Sequence, residues 1–105
     1  MTRSARLDDA TIGSWLTDNP NWQLVEGHLI QELRTTDYAS AVRLVLAQAD
    51  IAERLEHHPI ITLGYQEVRL ELWTHDRGGL THLDLDYATA FDDLVRSAFG
   101  DVVHG

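Results

Sequence analysis

Three of the six histidines in this 105-residue chain, His57, His58 and His75, lie between positions 57 and 75. An imidazole changes charge near neutral pH, so it can both give and take a proton there. Three of them around one cleft can bind a polar heterocycle and move its protons. Imidazoles also ligate metals. Two features count against metal here. Adjacent histidines on one helical turn diverge by about 100°, and the chain contains no His-x-x-x-His pair.

Each candidate also has a purely structural reading. In Glu53-x-x-x-His57-His58-Pro59, Glu53 and His57 share a face if the helix extends that far. The same histidines would equally suit a helix C-terminus, where cationic side chains favour the dipole. His75 falls at a strand end before a Gly-rich stretch. Such a place is ordinarily just solvent-exposed, although loops there often carry function. Asp84 is the acidic member of Thr81-x-x-Asp84, a capping box. Its first role is structural, and any chemical role would be an addition.

Other chemistries lack their residues. There is no cysteine, hence no disulfide, thiolate nucleophile or cysteine-ligated zinc. All basic residues are arginine, which excludes Schiff-base chemistry and a P-loop lysine. Neither a Gly-x-Ser-x-Gly elbow nor a Gly-x-Gly-x-x-Gly fingerprint occurs, and Gly78-Gly79 alone is too little for a phosphate loop. The net charge of −9 and the scattered arginines argue against nucleic acid as a partner. No apolar run approaches the ~20 residues of a membrane span. Met1 to Ala10 has no apolar core of a signal peptide, so a cytoplasmic protein is expected.

The elements that must position these residues follow from periodicity. Residues 1–7 read as a loose tail. Asp8 or Asp9 caps a short helix to about Thr17, with Ile12, Trp15 and Leu16 on one side. Asn19-Pro20-Asn21 breaks it. Trp22–Val25 and Leu29–Arg34 read as strands joined by a Glu26-Gly27 turn. Asp37 opens a long helix whose apolar stripe is Tyr38, Val42, Val45, Ala49 and Ala52, widened by Leu44, Ile51 and Leu55. Pro59 forces its end near Glu56–His58. Ile60–Leu63 and Val68–Thr74 form a second hairpin through Gly64–Glu67. Asp76–Gly79 is a polar loop. Thr81 caps a last helix with the stripe Leu83, Tyr87, Phe91, Leu94 and Ala98, and residues 100–105 are expected to fray. The order α-β-β-α-β-β-α predicts an α+β fold: a four-stranded antiparallel sheet with helices on one face. If the second hairpin packs beneath the long helix, His75 meets His57 and His58.

Glu53-x-x-x-His57-His58-Pro59, then Tyr65, His75 and Asp84, resembles the signature of the pterin-4a-carbinolamine dehydratases. Ala52-Glu53-Arg54-Leu55, Thr74-His75-Asp76 and Gly79-Leu80-Thr81 extend the likeness, which covers about residues 8–98. The resemblance implies a single domain over residues 1–105, with a core of about 8–98, usually forming dimers or tetramers. It implies that His57, His58 and His75 are catalytic and line a pterin site. Glu56, Thr74 and Asp76 border it, and Trp73 stands beside them at a position of variable type. Glu53, Pro59 and Asp84 support it. The implied reaction is dehydration of a 4a-hydroxytetrahydropterin to the quinonoid dihydropterin, as in tetrahydropterin recycling beside an aromatic amino-acid hydroxylase. The pterin is the substrate, and no cofactor or metal is implied. Ile61 and Leu83 depart from the family pattern, where an aromatic and a polar or basic residue are frequent; both bear on substrate preference. Relatives of this fold also serve as a dimerisation cofactor of a homeodomain transcription factor and as Rubisco assembly factors, so a non-catalytic module is the alternative.

Overall fold

The computed structural model describes residues 5–104. Its elements, in chain order, are α1 (Asp9–Asp18), β1 (Gln23–Val25), β2 (His28–Thr35), α2 (Tyr38–Leu55), β3 (Ile60–Leu63), β4 (Glu67–Leu72), α3 (His82–Ala98) and β5 (Val103–His104), with a 3-10 turn over His75–Arg77 between β4 and α3. The fold is α+β, and every strand pairing is antiparallel.

The four expected strands run in the spatial order β1-β2-β4-β3. A fifth was not expected. After α3 the amides of Val102 and Val103 bond back to the Phe99 carbonyl, and the chain turns along β2. Val103 then pairs with Thr35 and His104 with Arg34. Residues 103–104 are therefore paired, not frayed; residue 105 lies outside the described residues. At the other end Leu7 is also held, its amide donating to the Leu80 carbonyl at 2.8 Å. Within the expected tail of residues 1–7, residues 1–4 lie outside the described residues.

Strand alternation sorts the sheet into two faces. Leu29, Leu33, Val68, Leu70 and Leu72 point to the helices and are buried with Ile12, Leu44, Ile51, Tyr87 and Phe91. The opposite face carries cross-strand ion pairs: Arg34 to Glu67 at 2.6 Å and Arg69 to Glu32 at 3.5 Å. Both pairs are well exposed, so they set register more than they add stability.

The helices begin where expected. Asp8 accepts from the Thr11 amide and Asp37 from the Ser40 amide, both at 2.8 Å. Those bonds hold both carboxyls below their ordinary range. The buried face of α2 differs from the expected stripe. Tyr38 is 51% exposed and Ala49 is also outside, while Ser40, Ala41, Leu44, Gln48, Ile51 and Ala52 are inside. Hydrophobicity passes over Ser40 and Gln48, yet both have partners. The Gln48 amide donates to the Val45 carbonyl and its oxygen accepts from Tyr87 Oη. Burial pushes the Tyr87 phenol well above its ordinary value, which keeps it a donor. On α3, Tyr87 and Phe91 are buried as expected, but Ala98 is exposed and Leu83 only half-buried.

Candidate active site

Three element ends converge at one end of the sheet: the C-terminus of α2, the segment after β4, and the N-terminus of α3. Each ends for a local reason that aims a side chain.

Helix α2 stops at Leu55 because Glu56 takes a left-handed conformation, φ 51° and ψ 44°. Its amide bonds to the Ala52 and Glu53 carbonyls, and the His57 amide reaches Ala52 O at 3.0 Å. This closure satisfies carbonyls that the helix end leaves open. It also reverses the chain, so that His57 turns inward and is only 8% exposed. The helix thus ends before His57, and the expected facing of Glu53 and His57 does not occur. Glu53 instead accepts from His58 Nε2 at 2.7 Å, on the exposed side.

Strand β4 ends at Leu72, two residues earlier than expected. Thr74 forms an isolated bridge with Gly79, and His75 opens the 3-10 turn. Gly78 closes that turn at φ +66°, a conformation natural to glycine. His75 is therefore carried on a tight turn, not on a strand end.

At α3 the capping box is formed. Asp84, 0% exposed, does more than cap. Its Oδ2 accepts from the Thr81 amide at 2.9 Å and from Thr74 Oγ1 at 2.8 Å, and its Oδ1 accepts from His57 Nε2 at 2.6 Å. The hydroxyl protons are then assigned by counting. Thr74 gives its only proton to Asp84, so Thr81 must donate to Thr74 across their 2.8 Å contact. Thr81 Oγ1 in turn accepts from the Leu83 amide. A carboxylate can only accept, so the proton shared in this contact is carried by His57 Nε2. No buried side-chain nitrogen or oxygen among the described residues lacks a partner.

A cleft of about 430 Å³ lies between these ends. Its walls include Glu56, His57, His58, Thr74, His75 and Asp76, all expected at the site from sequence, and also Leu83. Two other depressions have similar volumes, about 440 and 470 Å³, but neither contains two histidines. Composition distinguishes the cleft; size does not. Among the described residues no group of His, Asp and Glu side chains is arranged to hold a metal ion.

A sequence model of the pterin 4 alpha carbinolamine dehydratases matches residues 5–94. The chain belongs to this family. Among the relatives of this chain is a Chloroflexus aurantiacus protein, 38% identical over 90 residues, covering 86% of this chain and 97% of that one. A Thermomicrobium roseum protein is 39% identical over 91 residues, covering 87% and 98%. Both bear the name pterin-4-alpha-carbinolamine dehydratase provisionally. A crystal structure from Brucella melitensis, described as a transcriptional coactivator/pterin dehydratase, superposes with a TM-score of 0.81 at 27% identity. It covers 85% of this chain and 97% of that chain.

Not every expected residue walls the cleft of this family member. Glu53 and Pro59 stand outside the lining, Glu53 reaching it only through His58. Tyr65 is 75% exposed in the β3–β4 turn. Trp73 is also absent from the lining. Its indole lies behind His75, ring centroids 4.1 Å apart, and stacks on His28 at 3.9 Å with 4° between planes. His28 was missed altogether. The expected strand began at Leu29, and nothing local in the sequence ties position 28 to position 73.

Proposed function

We propose that the chain dehydrates a 4a-hydroxytetrahydropterin. The observation that carries this reading is the gathering of His57, His58 and His75 on one cleft in three different settings: buried on Asp84, exposed on Glu53, and stacked on Trp73. In the reaction the C–O bond at the 4a carbon breaks, and the hydroxyl takes up a proton and leaves as water. A ring nitrogen loses a proton, and its electron pair forms the new C=N bond of the quinonoid dihydropterin. Electrons and protons balance without a redox partner. One acid and one base beside a flat ring suffice.

The settings suggest a division of labour. His57 and His75 act as the proton-transfer pair. His57 is oriented by a buried carboxylate, as the histidine of a hydrolase triad is. His58 orients the substrate, with Glu56, Thr74 and Asp76 around it. Leu83 places an apolar contact where relatives often have a polar one. In this reading the product returns to the tetrahydropterin pool that an aromatic amino-acid hydroxylase draws upon.

The purified chain should accelerate dehydration of freshly generated 4a-hydroxytetrahydropterin, with or without a chelator. His75→Ala should lower the rate by roughly 100-fold while leaving the fold intact. A rate no faster than buffer at high protein concentration would exclude catalysis. The coactivator part of the Brucella melitensis description would then favour the second reading, a non-catalytic interaction module. Activity lost to chelator and restored by zinc would instead indicate a metal.

A further inference from the structure

His57 and His58 are each held by a carboxylate, whereas His75 is held by a ring. We propose that Trp73, backed by His28 and Glu71, is a positioning residue that fixes the His75 imidazole for proton transfer. The proposal deepens the function proposed above and rests on it.

The geometry begins with strand register. Leu29 pairs with Leu72, so one step further His28 lies opposite Trp73 on the sheet face away from the core helices. Their rings stack almost parallel. The His75 ring lies 4.1 Å from the same indole centroid at 32°. Two imidazoles this close to one centroid cannot share a face without overlapping, so they cover opposite faces. The order is therefore His28, Trp73, His75. At the outer end, His28 Nδ1 and Glu71 Oε2 are 2.5 Å apart. Glu71 also accepts from Arg69 at 3.2 Å.

Two consequences follow. With both faces covered, the indole cannot also stack on a flat substrate. In this arrangement Trp73 acts through His75 and not as a stacking wall for the substrate. Secondly, a stack orients a ring without using its nitrogens. Among the described residues no side chain is hydrogen-bonded to the His75 ring, so both nitrogens remain available to substrate. The electron-rich indole face also accommodates an imidazole in either charge state. Backing matters because an indole supported on one side alone is free to swing about its side-chain torsions, and His75 would swing with it. Misplacement of a reacting group by about 1 Å can cost 10²-fold in rate.

The test compares the parent chain with Trp73→Ala, Trp73→Phe and His28→Ala in steady-state dehydration of 4a-hydroxytetrahydropterin. Side-chain NMR of His75 supplies a second readout. Trp73→Ala should lower kcat by roughly 10- to 100-fold, with KM changed less than about twofold. Phe at position 73 should restore most of the rate, since it restores a stacking face. His28→Ala should fall between parent and Trp73→Ala. The His75 ring protons, shifted upfield by the indole in the parent, should move downfield in Trp73→Ala and partly so in His28→Ala. If Trp73→Ala does not fold, His28→Ala carries both readouts, since His28 lies at the part-exposed end of the stack. Parent-like kcat and unmoved His75 resonances in these variants would overturn the proposal. So would a raised KM at constant kcat, which would make Trp73 a wall of the substrate site. An inactive parent would overturn the function and this role together; an active parent with indifferent variants would overturn the role alone.

Discussion

Asp84 takes three hydrogen bonds on one buried carboxyl group, and one of them comes from His57. A cap alone is worth about 1 kcal/mol. Removing this side chain strands an imidazole N–H, a hydroxyl and an amide, each costing about 1–3 kcal/mol when buried without a partner. Asp84→Ala should therefore lose about 3 kcal/mol or more in denaturant melts. Asp84→Asn keeps the shape but replaces one acceptor with a donor. It should fold less stably than the parent and lose roughly 10- to 100-fold in kcat as His57 loses its orientation. An Asp84→Asn protein with parental kcat would reduce Asp84 to a cap. The activity effect expected here exceeds what Thr81-x-x-Asp84 alone would suggest, because position 57 supplies the third bond.

At the scale of elements, the end of α2 sets the direction of both adjacent histidines. It does so through a glutamate at φ 51°, where an L-residue is strained by about 1–2 kcal/mol. Glu56 also walls the cleft. Two substitutions separate these roles. Glu56→Gly relieves the strain and removes the carboxylate; Glu56→Ala removes the carboxylate and keeps the strain. Glu56→Gly should melt about 1 kcal/mol more stably than Glu56→Ala. The two should share one change in kcat/KM, because both lack the same side chain. Equal melts would mean that the left-handed turn stores no strain, and different kinetics would mean that the turn, rather than the carboxylate, sets the site. The 3-10 turn plays the matching part for His75, with Gly78 as its natural closing residue.

The whole molecule leaves apolar surface uncovered. Tyr38 and Leu46 are 51% and 68% exposed on α2, and Ile60, Leu63 and Tyr65 are exposed along β3 and its turn. Strand β3 is also an edge of the sheet, with backbone groups open to pairing. A homodimer or homotetramer is expected to cover these surfaces, and twofold symmetry is the commonest way to do so. Light scattering at micromolar concentration should give a multiple of the 11.9 kDa chain mass. A monomer mass would contradict this. No helix among the described residues is long and apolar enough to cross a membrane.

Much of this protein was legible in short windows of sequence. The caps at Asp8, Asp37 and Thr81–Asp84 are local, since donor and acceptor lie within three residues. The alternation of Val68, Leu70 and Leu72 with Arg69 and Glu71 names the faces of β4 because side chains alternate along any strand. His57, His58 and His75 stood out by residue type and spacing. Tertiary structure decided the rest. Gln48 is buried because Tyr87, 39 residues away, supplies a partner. Val103 and His104 form a strand because Thr35 and Arg34 are there to pair with them. His57 meets Asp84 across 27 positions, and the face of Trp73 not taken by His75 is covered by His28, whose place depends on the register between β2 and β4. Local sequence sets which backbone shapes and faces are available; which side chains then touch depends on how distant elements pack, and no short window contains both partners.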